Sequence, residues 1–278
     1  MSAGDSGVDT IDEVLDALDG VIARAMQRAS RVGFFAAIYR KVTAKIAEGI
    51  ASGFFDDGER MERFDVTFAQ RYLAALHGHQ TGTATTRSWE LALDATDNRR
   101  PIILQHLLAG INAHINLDLG ISAATTAPGQ ALPGLRRDFD RINEILASMI
   151  ANVERDLGEL SPWIGLLGRI GGHHDDAVIR FSLGAARTEA WRFATELAPL
   201  AADDWAAPIA ARDVRVARLA NTVLHPGWLS APLLLIRLRE TNDVRRTIEV
   251  LNRMPAPDLQ VVEERVVTGR FEPRRPRP

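Results

Sequence analysis

Apolar residues recur along most of the chain at the 3.6-residue period of amphipathic helices. Ile11, Val14, Leu15, Leu18, Val21, Ile22 and Met26 mark a first helix over Thr10 to Arg31, capped at Asp9 or Thr10. Phe35, Ile38, Tyr39, Val42, Ile46 and Ile50 mark a second over Val32 to Ala51, ended by Gly53 and Asp56-Asp57-Gly58. A third spans Arg60 to His77 and a short fourth Ser88 to Ala95. Arg100 to Ile121 forms the fifth, with Pro101 suited to a first turn and Gly120 near the end. Thr125 to Pro133 is rich in Pro, Gly and Thr and reads as a loop, before another helix over Leu135 to Leu157. Ser161-Pro162 opens a short segment that ends at Gly171-Gly172. Asp175 or Asp176 then caps a long helix to about Leu200. Two or three helices fill Ala207 to Arg253, interrupted at His225-Pro226-Gly227.

Only Leu259 to Val267 alternates in the manner of a strand, and no 20–50 residue repeat occurs. The pattern predicts an all-α, single-domain bundle of about nine or ten helices over residues 1–268. A disordered Arg/Pro-rich tail occupies 269–278.

The fifth helix breaks the ordinary division into a dry face and a charged face. At about 100° per residue, Leu104, Leu108, Ile111 and Ile115 share one side. His106, Gly110, His114 and Asp118 drift across a second, and Gln105, Ala109, Asn112 and Asn116 make a third. No Lys or Glu falls between Gln105 and Leu117, so this helix is expected to be buried on most sides. Buried imidazoles, amides and carboxylates need partners, which a hydrogen-bond network, a metal or a polar cavity would supply. Gly110, between the two histidines, would leave room for a ligand or for a close-packed helix.

Composition narrows the chemistry. The chain has 278 residues, 46% hydrophobic and 25% charged, a formal charge of −3 and a pI near 6.2, with no basic block in its body. Nucleic acid is therefore not an expected partner. The N-terminus is acidic and lacks a basic start followed by an apolar run, and the longest apolar stretches fall far short of a membrane span. The cytoplasm is the expected compartment. Cysteine is absent, which excludes disulfides, thiolate metal sites and cysteine nucleophiles. Glycine-rich phosphate loops, nucleophile elbows and HExxH zinc motifs are absent too.

His114 and Asp118, one turn apart, then stand out as a metal-ligand pair or a proton-transfer dyad, with His106 two turns back as a third group. A divalent metal such as zinc, iron or manganese would take these three. Gln105, Asn112 and Asn116 would orient a small-molecule substrate. Arg187 and Trp191, on one face with Arg180 and Gly184, would grip an anionic or planar ligand or else pair with the helix carrying Asp138, Asp140 and Glu144. One of the charges of Asp138 to Asn143 must point inward or cap a neighbour. His77-Gly78-His79, followed by a loop at Gln80-Thr81-Gly82, His173-His174-Asp175-Asp176 and His225-Pro226-Gly227-Trp228 are lesser candidates, the last two best read as a helix cap and a turn.

The run Gln105-His106-Leu107-Leu108, Gly110, then Asn112-Ala113-His114-Ile115-Asn116-Leu117-Asp118-Leu119 resembles the signature of a bacterial family of domains of unknown function. That likeness extends from about Arg60 to Arg192. A weaker similarity is to the zinc-dependent phospholipase C and single-strand nuclease superfamily, all-helical enzymes with His-x-x-x-Asp pairs. Only His114 and Asp118 carry it, since that family's secretion signal and longer series of His and Asp ligands have no counterpart here. The expected function is a metal-assisted hydrolase or lyase acting on a small molecule. The alternative is a helical protein that binds an apolar or amphipathic small molecule without catalysis, or a polar network that serves packing alone.

Overall fold

Capping chemistry starts the first helix where the periodicity places it. The Thr10 hydroxyl accepts from Glu13 N while the Glu13 carboxylate reaches back to Thr10 N, a reciprocal box that opens α1 (Ile11–Arg28). In the computed structural model, residues 7–164, 183–227 and 230–253 are described, and the regular structure among them is all helical. The possible strand at Leu259–Val267, the Arg/Pro-rich tail, the Gly171-Gly172 break, the His173–Asp176 string, Arg180 and Trp228 lie outside the described residues.

After α1 come α2 (Val32–Ala51), α3 (Gly58–Thr81), α4 (Arg87–Asp94) and α5 (Ile103–Ala113). A π-helical turn, His114–Asp118, joins α5 to α6 (Leu119–Thr126) without a break. Then follow α7 (Leu132–Leu160), α8 (Leu183–Leu197), α9 (Ala206–Leu224), α10 (Ser230–Arg239) and α11 (Val244–Asn252). Two expected loops shrink. Thr125 and Thr126 belong to α6, and Pro133 sits in the first turn of α7, where its missing N–H is no loss. The α3 helix likewise absorbs His77-Gly78-His79 and Gln80-Thr81, and closes at Gly82 in the left-handed region, φ 71°. His79 there pairs with Asp94 at the surface, 2.9 Å.

The chain's middle forms a rod, α5 through α6, surrounded by α2, α3, α4, α8 and α9. The buried apolar side chains, from Val8 to Leu251, form one main cluster around it. Three carboxylates from far along the chain seat helix starts. Asp138 accepts from Asp56 N and Asp57 N (2.7 and 3.1 Å) and from Arg60, fixing the entry to α3. Asp213 accepts from Arg87 N, Ser88 N and Ser88 Oγ at the start of α4. Glu240 accepts from Ile103 N at the start of α5. Each answers donors that the helix itself leaves unpaired and places a negative charge against its dipole. A fully buried ion pair, Lys41 Nζ to Asp156 at 3.1 Å, ties α2 to α7. No helix among the described residues is long and apolar enough to cross a membrane.

Candidate functional site

The rod is buried as its lack of Lys and Glu requires, but with its faces exchanged. His106, Gln105, Asn112, His114, Asn116 and Asp118 are all buried. Leu104, Leu108 and Ile111, on the apolar side, are only partly so, while Ile115 beside them is buried. Gly110 leaves room for a neighbouring helix, since a Cβ there would meet the Phe35 ring of α2 at 2.9 Å.

One flank faces α9 and is a clamp. Gln105 Nε2 donates to Val223 O at 2.7 Å, Asn112 Nδ2 to Val216 O at 2.9 Å, and Arg212 Nε to Asn116 O at 2.9 Å. From Gln105 to Asn112 is seven residues and from Val223 to Val216 seven in reverse; the next rung steps by four on both helices. The two helices therefore run antiparallel with a fixed register. Gln105 Oε1 accepts from Ile102 N, and Asn112 Oδ1 from Asn116 Nδ2, so the side-chain amides are answered within the protein. Of the residues expected to orient a substrate, Gln105 and Asn112 hold α9 with their side chains, and the Asn116 side chain bonds Asn112.

The other flank carries the His114–Asp118 pair on the π turn. Leu119 N reaches back five residues to His114 O, and that turn's Asn116 carbonyl takes the Arg212 guanidinium. Such turns are rare and concentrate at functional positions. Asp118 Oδ1 accepts from Arg71 Nε at 2.8 Å, and Oδ2 from Trp89 Nε1 at 2.7 Å and from His114 Nδ1 at 3.4 Å. Burial alone would raise the Asp118 carboxyl, but Arg71, His114 and Trp89 outweigh it and hold the carboxyl below its ordinary range. Burial pushes the His114 imidazole down, with Asp118 opposing. An ionised carboxylate facing a neutral imidazole places the proton on Nδ1 and leaves the lone pair on Nε2.

That Nε2 is buried and has no partner, and neither do the hydroxyls of Tyr39 and Tyr72 or one oxygen of Asp65. The Tyr39 and Thr43 hydroxyls lie one turn apart on α2, without normal hydrogen-bond geometry between them. The His114 ring stacks on Phe68, 3.5 Å between centroids, and meets Tyr39 edge-on at 4.5 Å. Burial raises both tyrosine hydroxyls, Asp65 and Asp118 adding to the effect at Tyr39. It also lifts Asp65 to about 7, with Glu62 contributing.

On the outer side of these rings lies a cavity of about 220 Å³. Its walls come from α2 (Ile38, Val42), the rod (Ile111, Ile115) and α7 (Leu146, Met149). Tyr39 and His114 also line it, but their hydroxyl and Nε2 are buried, so they present ring carbon to it.

His106 does not join this site. It lies two turns from His114, about 12 Å along the rod, and lines a separate crevice with Arg31, Phe34 and Arg237. Both Asp118 oxygens are engaged by protein donors. Among the described residues no three His, Asp or Glu gather as a metal would need, so His106, His114 and Asp118 do not form one ligand set. Arg187 and Trp191 dock on α7, where Arg187 Nε donates to Asn143 at 2.6 Å and Nη2 to Phe139 O, and Trp191 packs on Phe139 beneath Arg136. Burial lowers the Arg187 guanidinium to about 10. Its partners are thus a carbonyl and an amide of α7, where pairing with that helix's carboxylates was one expectation. Asp138 is the inward-pointing charge of its segment.

Arg71, Trp89, Tyr39 and Tyr72 complete the surroundings of the dyad, and periodicity had marked the tyrosines only as core. Their signal was weak: an indole and two phenols on apolar faces, each with a polar tip that needs a partner when buried. Neither a curated protein nor a solved structure matches the chain. A family model does match, over residues 11–226, which includes the whole rod and the α9 clamp; the chain belongs to that family, DUF5995, a family of unknown function.

Proposed function

We propose that this protein binds an apolar small molecule in the cavity between α2, the rod and α7. One observation carries the reading: the most apolar face of the central helix is the one left incompletely covered, while its polar faces are shut against other helices. Leaving such a face open forgoes the burial that drives folding, about 25 cal/mol per Å². The volume is below the roughly 300–1,000 Å³ of pockets for drug-sized ligands, which favours a short chain or single ring. The ligand's apolar part would lie against Ile111, Ile115 and Leu146. The test is titration of the full chain with an environment-sensitive apolar dye, with native mass spectrometry of the purified protein for a retained ligand. Saturable one-to-one binding that Leu146→Trp removes at an unchanged melting temperature is expected. No saturable binding, or equal binding by the variant, would overturn it.

A second reading, an acid–base enzyme of hydrolase or lyase type, is favoured by Asp118 orienting His114 with Nε2 free, the arrangement of a general base. It requires the substrate to reach Nε2 past the Tyr39 and Phe68 rings. His114→Phe separates the two: a binder retains dye affinity within a few-fold, whereas an enzyme loses turnover of every substrate found for the wild type.

A further inference from the structure

The crevice at the far end of the rod has its own chemistry. His106 is 5% exposed, and neither ring nitrogen has a partner in normal hydrogen-bond geometry, although the Pro101 carbonyl lies near enough to favour the protonated ring slightly. Arg31, from the α1–α2 junction, and Arg237, from α10, line the same crevice, as does Glu240; Arg237 Nε donates to Arg99 O at 2.8 Å and Nη2 to Asn242 Oδ1 at 2.6 Å, which leaves its Nη1. Their charges, after burial itself, push the His106 imidazole down to about 3, so the ring is neutral and offers one N–H donor. Among the described residues no carboxylate lies within 4 Å of Arg31, whose Nη1 donates to Thr96 O while its Nε and Nη2 remain available. Arg99 adds a third positive charge that acts on Arg31. Two carboxylates oppose these. Asp97 acts on Arg31 at longer range, and Glu240, 3.8 Å from Arg237 Nη1, has its oxygens turned to Ile103 N. Burial raises Glu240 to about 7, which weakens its charge against the arginines.

We infer that this crevice is a binding site for an oxyanion, the carboxylate or phosphate group of a small molecule, held by Arg31 and Arg237 and by the N–H of His106. The free volume inside is about 10 Å³, roughly that of one water. Only one oxygen of the anion's head group enters, and the rest of the ligand lies outside. Arg31 suits this role as a charged donor that keeps Nε and Nη2 unengaged, and Arg237 adds its charge and Nη1. The site is separate from the apolar cavity and does not depend on it.

The experiment follows the His106 ring by nuclear magnetic resonance in the full chain, with inorganic phosphate and acetate titrated separately and chloride at equal ionic strength as the control. A saturable shift of the His106 resonances with at least one oxyanion is expected, and the tighter of the two identifies the head group. Arg31→Met and Arg237→Met should each weaken it about tenfold, with the fold judged by the unchanged resonances of His114. An absent or non-saturating shift in wild type overturns the proposal whatever the variants do. An equal response to chloride, or undiminished binding in both folded variants, overturns it too.

Discussion

The two flanks of the rod bury the same kinds of group with opposite results. Toward α9, Gln105, Asn112 and Asn116 are all bonded, in a register that repeats on both helices. Toward α2 and α3, the carboxylate of Asp118 is saturated while His114 Nε2 and the hydroxyls of Tyr39 and Tyr72 are left unanswered, and the Tyr39 and His114 rings wall an apolar cavity. A polar residue on a buried helix is therefore not a site by composition. The satisfied flank explains itself as packing, and the unsatisfied one calls for a further partner, because an orphaned buried donor or acceptor costs about 1–3 kcal/mol.

The largest effect should come from the one residue of the second flank that is fully bonded. Asp118→Ala strands the Arg71 guanidinium, the Trp89 N–H and the His114 N–H together. A loss of about 3–5 kcal/mol is expected, read from chemical denaturation. A loss under about 1 kcal/mol would mean that Asp118 does not anchor α3 and α4 to the π turn.

Next is His106, through pH. Its folded pKa of about 3 lies below the ordinary 6.5, so between those values the unfolded chain takes up a proton that the folded chain refuses. Stability accordingly falls as pH drops through that window, by about 1.4 kcal/mol per unit for this group. His106→Phe should flatten the stability profile between pH 6 and 4. Unchanged slope would show that the imidazole is solvated or paired in the folded state.

A moderate effect is expected on the first flank. Asn112→Ala removes the bond to Val216 O and leaves the Asn116 amide unpaired, for a loss of about 1–3 kcal/mol in thermal or chemical unfolding. A neutral outcome would show that apolar packing alone sets the α9 register.

Sequence pattern carried the helices and the burial of the rod, because both follow from local periodicity and from the absence of Lys and Glu over Gln105 to Leu117. It did not carry the π turn. A strict 100° step hides any shift of phase, and this turn has tertiary partners in Arg212, Arg71 and Trp89. Nor did it carry the caps from Asp138, Asp213 and Glu240, which act across 82, 126 and 137 residues. The amide stripe was legible as a stripe, but its partners are backbone carbonyls of α9, which leave no mark in residue type. His106 and His114 shared one face on paper. The distance along the axis that separates them into two environments is invisible in a projection down that axis.

The smallest effect is expected from Tyr72→Phe, and it sharpens the contrast most. Tyr72 is 1% exposed, its ring packs on Phe35 at 5.0 Å and on Trp89 at 5.3 Å, and its hydroxyl has no partner. Removing one oxygen keeps the ring contacts and creates almost no void. It also relieves the desolvation of a hydroxyl that gains nothing in return, so the variant should match the wild type or exceed it by up to about 1 kcal/mol. The same one-group deletion on the clamped flank, Asn112→Ala, should go the other way. If Tyr72→Phe instead loses 1 kcal/mol or more, measured by chemical denaturation beside Asn112→Ala, its hydroxyl is bonded through buried water. The two flanks would then be more equally satisfied, and the contrast drawn between them would lose its physical basis at Tyr72.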